Sequence, residues 1–283
     1  MVLCASKMET SDHTHTSNIE RAEAIWLLPS HRLPVLLKTP AIVAIGCFSS
    51  GGNLGSPQTI AILTLSTFLW AALYALNEWT DLREEQRLNL PLWQSRLLIF
   101  TSLFICALAS AYSHYAGLLL LLMSLGQMIY CLNPFRVKRY WFGALLLSGI
   151  INPALRLECG GTLGSHSVPA VLVICVISLH IGAATRSRCT LRKRDSSFGY
   201  HTAPGGLELF GILFTIIGHF TGIMASVEGI LPHIFIIFLA GSALFSCYAW
   251  SNKHRSISEL RRGWLWFAMV AVIALGVMAI VSK

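Results

Sequence analysis

The chain has 283 residues, 54% of them hydrophobic and only 12% charged, with a net charge of +8. A soluble domain carries about 25% charged residues, so this composition excludes an ordinary water-soluble protein. The basic residues are divided among separate loops with no soluble recognition module beside them, which excludes a nucleic-acid-binding protein.

Residues 1–30 are polar and mixed in charge, with His13 and His15 among them. They lack a basic start followed by an apolar stretch, so they read as a polar cytoplasmic tail and not as a secretory signal. Nine apolar runs follow, near 34–49, 58–77, 96–113, 115–133, 141–157, 168–185, 207–226, 230–250 and 264–281. A bilayer needs about 20 apolar residues per helix. The expected fold is therefore all-α, a polytopic membrane bundle of about nine transmembrane helices forming one domain over 31–283.

Counted by alternate sides, 19 of the 21 Lys and Arg residues fall on one side of the membrane. Arg156, assigned to an outer loop region, and Lys283 are the two on the other side. Basic residues resist translocation, so the richer side, with the N-terminus, is expected to be cytoplasmic and the C-terminus outside. The eight cysteines form no CxxC pair; Cys106, Cys131, Cys175 and Cys247 lie in or beside apolar runs and read as small packing residues.

The second run ends in "LNEWTDLREEQRLN". Asn77, Asp81 and Glu85 are spaced i, i+4, i+8 and share one face of a helix, with Glu78 alongside. Carboxylates gathered at a membrane boundary repel one another without a cation. Mg²⁺ suits them, because it takes oxygen ligands and bridges carboxylates to phosphates. A solvated acidic helix end, paired with Arg83 and Arg87, is the plain alternative. After the fourth run, "IYCLNPFRVKRYWFG" brings Arg136, Lys138 and Arg139 to the same side. Acidic and basic clusters facing one another match a diphosphate, whose charge metal and Arg or Lys divide.

These two motifs resemble those of the UbiA superfamily of intramembrane prenyltransferases. Asn77-Glu78-x-x-Asp81-x-x-x-Glu85 is similar to the family's N-D-x-x-D-x-x-x-D, with Glu for Asp twice. Tyr130-Cys131-x-x-x-x-Arg136-x-Lys138-Arg139 is similar to its Y-S-x-x-x-R-x-K-R-like loop. "NLPLW" resembles its "RPL" segment, with Leu90 in place of Arg. The third loop departs from the pattern. Asp195, Gly199, Thr202 and Pro204 match the end of D-x-x-x-D followed by G-x-x-T-x-P, but Leu191 stands where the earlier aspartate would be. Arg186, Arg188, Arg192, Lys193 and Arg194 crowd this loop. Either Arg192 and Arg194 replace a second Mg²⁺ as a diphosphate clamp, or the site is degenerate.

The resemblance implies an isoprenyl diphosphate as donor, Mg²⁺ as cofactor and a lipophilic, typically aromatic, acceptor. It implies Asn77, Glu78, Asp81, Glu85 and Asp195 as metal ligands, and Tyr130 and Arg139 as diphosphate contacts, which Arg192 and Arg194 join if they replace the second metal. Asp81, Arg136 and Lys138 would carry the catalysis. A membrane terpene cyclase and a non-catalytic lipid-binding protein remain as alternatives. The segment around Arg156 is similar to L-R-x-x-x-G in members that move phosphoribosyl groups. His180, His219 and His233 read as helix-to-helix hydrogen bonders. Phe68, Trp70, Tyr74, Tyr130, Trp141 and Phe142 are candidates for a prenyl pocket, or for packing and interfacial anchors.

The charge asymmetry makes a direct forecast. In intact cells, with the native cysteines replaced, cysteines introduced at Asp81, Arg136, Asp195 and Arg255 should resist an impermeant thiol reagent, and one at Gly161 should react. Reaction at position 195 with protection at 161 would invert the orientation.

Overall fold

The computed structural model describes residues 33–84 and 89–251. Within them lie α1 (Leu33–Ser49), α2 (Pro57–Glu84), α3 (Leu92–Tyr112), α4 (His114–Cys131), α5 (Trp141–Gly161), α6 (Ala170–Thr190), α7 (Arg192–Ser197), α8 (Leu207–Val227) and α9 (Phe235–Ser251). Among the described residues six helices are long and apolar enough to cross a membrane, and α1 and α9 are shorter apolar helices. The expected ninth span, 264–281, and the polar tail lie outside the described residues. The protein is an integral, multi-pass membrane protein. Phe68, Phe100, Ile216 and Phe220 are among many large apolar side chains that face outward, which only a lipid solvent tolerates in such number.

Loops alternate between two faces of the bundle. On one face the α1–α2 and α5–α6 loops meet, where Ser165 and His166 donate backbone hydrogen bonds to the Ser50 carbonyl at 2.9 and 3.0 Å. On the other face the end of α2, the α4–α5 loop and the α6–α8 segment converge. α2 is 28 residues long. At 1.5 Å per residue that is about 42 Å, longer than an apolar bilayer core of about 30 Å. Its last turns, from Asn77 on, therefore stand clear of the hydrocarbon.

Helices in lipid gain little from apolar burial, so close backbone approach supplies the attraction. Two glycine seams show it. A Cβ on Gly160 would strike the Val43 carbonyl oxygen of α1, and one on Gly46 would strike the Leu157 carbonyl oxygen of α5. Between α6 and α8, a Cβ on Gly218 would come within 2.8 Å of the Leu179 backbone nitrogen, and Gly182 is closed off by Thr215. The α3–α4 hairpin turns on one residue: Ser113 ends α3 and caps α4, its Oγ accepting from the Ala116 N–H at 3.3 Å.

Helix α5 is not uniform. Leu146–Ile151 winds as a π-helix, with the Asn152 N–H bonded to the Leu147 carbonyl. Pro153 supplies the reason. It has no N–H for the Gly149 carbonyl, and its ring would collide with that carbonyl in a regular α-turn, so the turn widens. The widened turn carries Asn152 and Arg156 to the bundle interior, where they are 2% and 3% exposed. This corrects the sequence assignment of Arg156 to an outer loop: it lies inside α5, its guanidinium 3.6 Å from the centre of the Trp70 ring.

The seven described cysteines are free, and Cys106, Cys131 and Cys175 are buried as expected, while Cys247 is exposed. Of the three histidines, His219 makes the expected bond between helices, Nε2 to Ser242 Oγ at 3.1 Å. His180 instead bonds within its own helix, to the Val176 carbonyl, and His233 to the Ser226 carbonyl in the α8–α9 connection.

The glycine seams predict a contrast. Gly160→Ala should lower stability in detergent by about 1–3 kcal/mol, the range for overpacking a filled site. Gly205→Ala, where an added Cβ meets nothing within 4 Å, should leave thermal unfolding unchanged.

Candidate active site

The terminal turns of α2 remain helical through Glu84, so Asn77, Thr80 and Asp81 share a face as their spacing requires. Opposite them stands the α4–α5 loop. The Lys138 ammonium donates to Asp81 Oδ1 and lies 3.4 Å from both Asn77 Oδ1 and Thr80 Oγ1. Arg136 Nη2 lies 3.9 Å from the same Asp81 oxygen. Both cations are almost fully covered, Arg136 at 1% exposure and Lys138 at 4%. Asp81 is partly exposed.

The loop is built to deliver these two side chains. Arg136 sits at φ +33°, in the left-handed region, and starts the 3₁₀ turn Val137–Arg139. Such a backbone costs a non-glycine residue about 1–3 kcal/mol, which the surrounding contacts must offset. They do so from the α6–α8 segment: His201 donates its N–H to the Arg139 carbonyl at 2.9 Å, and the Tyr140 and His201 rings stack with centroids 4.8 Å apart. Burial pushes the Arg136 guanidinium below its ordinary range, with Tyr200 and Asp81 opposing that effect.

The α6–α8 segment contributes the second carboxylate. Asp195, on the short α7, is 2% exposed and faces Arg188, whose Nη1 is 3.3 Å from Asp195 Oδ2. Arg188 also donates through Nη2 to the Tyr130 hydroxyl at 3.0 Å, tying α6 to α4. Gly199 follows at φ +69°, a conformation that favours glycine. The chain then returns so that Tyr200 donates its N–H to the Asp195 carbonyl at 2.8 Å. The Arg136 guanidinium lies 5.7 Å from the centre of the Tyr200 ring, which joins the two halves of the site.

The structure thus brings Asn77, Asp81, Arg136 and Lys138 together, and separately Tyr130, Arg188 and Asp195. Arg139 presents its carbonyl to His201, and Glu78 is half-buried beside them. Glu85 and the Arg194 side chain lie outside the described residues. Arg192, assigned to a diphosphate clamp, donates to the Pro204 carbonyl at 3.1 Å and so braces its own loop. The arginine at Asp195 is Arg188. No sequence signal singles it out among its neighbours: Arg188 stands on the last turn of α6, three residues before Leu191. Thr80 and Tyr200 also escaped the sequence reading. Tyr200 sits inside the "GYHTAP" segment whose Gly and Thr were recognised.

The oxygens of Asn77 and Asp81 converge on one cationic atom, the Lys138 nitrogen. That donor chemistry fits Mg²⁺. Among the described residues no three His, Cys, Asp or Glu side chains gather into a metal-binding group. Asp195 faces an arginine and not a second carboxylate, so a second metal has no partner for it at Leu191.

No family model and no curated protein matches the sequence. Solved structures do match the fold. A UbiA homolog from Archaeoglobus fulgidus superposes with a TM-score of 0.68 at 13% identity, over 91% of this chain and 99% of that one. The same homolog bound to GPP and Mg²⁺ gives 0.66 at 16% identity, over 88% and 97%. A digeranylgeranylglyceryl phosphate synthase gives 0.60 at 16% identity, over 94% and 98%. The fold of this chain is the UbiA fold, as the motifs implied.

The Arg188–Asp195 pair yields a stability forecast. Arg188→Met leaves Asp195 buried beside an apolar side chain. Removing one partner of a buried pair costs about 3–5 kcal/mol, so the apparent melting temperature should fall sharply. Adding Asp195→Asn should recover a good part of the loss. Equal stability of Arg188→Met and the parent would mean that the pair does not hold the loop.

Proposed function

We propose that the protein is an intramembrane prenyltransferase, moving an isoprenyl group from an allylic diphosphate to a lipophilic acceptor, on one domain with its charged face toward the cytoplasm. The observation that carries this reading is the meeting of Asp81 with two buried cations, Arg136 and Lys138, at the end of a helix that outreaches the bilayer. The UbiA homolog bound to GPP and Mg²⁺ supports the choice of donor and metal.

Asn77, Glu78 and Asp81, with Glu85 added by its spacing in the sequence, would hold Mg²⁺. When bound, the metal neutralises the diphosphate oxygens and eases departure of the leaving group. Lys138 moves from the Asp81 carboxylate to the diphosphate, and Arg136 and Arg139 take up the remaining charge. Arg188, held by Asp195 and Tyr130, takes the clamp position that the sequence reading gave to Arg192 and Arg194. The C1–O bond of the donor breaks, its electron pair leaves with the diphosphate, and an allylic cation remains. A nucleophilic carbon of the acceptor closes a new bond to C1 and releases a proton. The bundle interior excludes water, which would otherwise capture the cation.

The test is turnover by purified protein in lipid nanodiscs with geranyl diphosphate, with and without Mg²⁺ and a hydroquinone acceptor. Metal-dependent diphosphate release with alkylated acceptor is the expected result, and Asp81→Ala should abolish it while the protein still inserts. Product without acceptor would identify a cyclase. No diphosphate release under any condition would identify a non-catalytic lipid-binding protein.

A further inference from the structure

Between the charged face and Arg156 lies a buried polar pair that the proposed diphosphate chemistry does not use. Asn152 of α5 donates through Nδ2 to Gln127 Oε1 of α4 at 3.4 Å. The two side chains are 2% and 7% exposed. Among the described residues nothing bonds the other end of the amide, Asn152 Oδ1. That oxygen faces Gly126, the residue before Gln127. A Cβ added to Gly126 would meet only Oδ1, at 3.7 Å, and Leu147 Cδ2, at 3.6 Å. Both are ordinary contact distances. Gly126 therefore differs from the glycines of the two seams, where an added Cβ strikes a neighbour. It leaves a notch about one heavy atom wide in front of an open amide oxygen.

An amide oxygen without a partner inside a membrane bundle is costly, and a leucine in the same place would carry no such cost. The notch admits a small group that donates a hydrogen bond. A carboxylate brings only lone pairs and is repelled. An ammonium would add another buried cation near Arg136 and Lys138. A hydroxyl fits, and because it both donates and accepts, it also suits the amide pair turned end for end. Position favours the same ligand. Gln127 stands one turn before Cys131, about 6 Å along α4. Cys131 shares a buried cluster with Leu76, the residue before Asn77. The notch thus lies a turn beneath the groups that would hold the donor head. It is also close to lipid: Leu122 and Ile129 stand a turn either side of Gly126, Leu146 and Ile150 bracket Leu147, and all four are exposed. The π-turn Leu146–Ile151 ends at Asn152 and sets it at this point, and such turns recur at functional sites.

We propose that Asn152, held by Gln127 and open to the Gly126 notch, is a hydroxyl subsite for the acceptor, which makes a membrane-dissolved phenol the substrate class. The word acceptor rests on the prenyltransferase reading; the hydroxyl subsite does not. The phenol O–H donates to Asn152 Oδ1 and keeps its proton. That hydrogen bond raises the electron density of the ring. A ring carbon ortho or para to the hydroxyl bonds to C1 of the donor as the C1–O bond breaks, and the proton of that carbon passes to the departed diphosphate. Asn152 acts as a specificity-determining residue.

The test is equilibrium binding to the full chain in nanodiscs of phosphatidylcholine, after subtraction of binding to empty nanodiscs. The probes are 4-octylphenol and 4-octylanisole, which differ by a methyl group on the oxygen. The phenol should bind about tenfold more tightly than the ether, as expected for a hydrogen bond to a buried, otherwise open acceptor. Asn152→Leu should erase that preference. Gly126→Ala should erase it too, with thermal unfolding unchanged, because its Cβ fills the notch without a clash; a purely structural amide pair would not respond in this way. Binding of geranyl diphosphate with Mg²⁺ is measured in parallel. It should survive both substitutions and be lost in Asp81→Ala, so failure of the hydroxyl subsite and failure of the diphosphate site are read separately. Equal binding of phenol and ether to the parent would overturn the proposal, since a structural water would then serve Asn152. So would a preference for the phenol that persists in Asn152→Leu or Gly126→Ala. Loss of geranyl diphosphate binding in Gly126→Ala would also overturn it, because the notch would then belong to the donor.

Discussion

An ammonium and a carboxylate meet where the bundle leaves the membrane. The Lys138–Asp81 contact joins the end of α2 to the loop after α4, and the rest of the charged face is arranged around it. Lys138 is too deeply covered to be solvated by water, and Asp81 is open enough to admit a ligand. A buried pair of this kind adds little stability in itself, since desolvation consumes most of its Coulomb energy. Its value lies in what it can exchange. A cation already stands where Asn77 and Asp81 point, so under the proposed function a metal and a phosphate would enter together without either charge being left alone.

That arrangement requires a rigid loop, and the loop is fixed from outside itself. The left-handed Arg136 would relax if nothing opposed it. The Tyr140–His201 stack, the bond from His201 to the Arg139 carbonyl and the Arg136–Tyr200 contact all come from the segment that carries Asp195. Asp195 is fixed in turn by Arg188, and Arg188 by Tyr130 on α4. The third loop is thus held to the bundle by an arginine–carboxylate pair. Further in, the π-turn of α5 directs Arg156 to the interior and the glycine seams bring α1 and α6 to it.

Much of this was legible from residue types and spacing. Apolar run length and the alternation of basic loops gave the helical bundle and the sharing of one face by Asp81, Arg136 and Asp195. The i, i+4 spacing of Asn77 and Asp81 survived because helices keep their period past the membrane. Arg156 was misplaced because a hydropathy profile reads a lone arginine near a span end as a boundary, and the Pro153-driven π-turn that buries it leaves no mark on hydropathy. Arg188 was passed over in favour of Arg192 because a loop crowded with arginines gives no indication of which one turns inward. That choice is made by Asp195, seven residues on, and by Tyr130, 58 residues back on α4.

The central claim is that Asp81 trades the Lys138 ammonium for a metal that is bound together with the donor diphosphate. Pulsed electron paramagnetic resonance of Mn²⁺ in the presence of geranyl diphosphate tests it directly. The account predicts a tightly bound Mn²⁺ with phosphorus hyperfine couplings, present in the parent protein and absent in Asp81→Asn. Mn²⁺ bound equally well in Asp81→Asn, or bound in the parent without phosphorus in its coordination sphere, would contradict it.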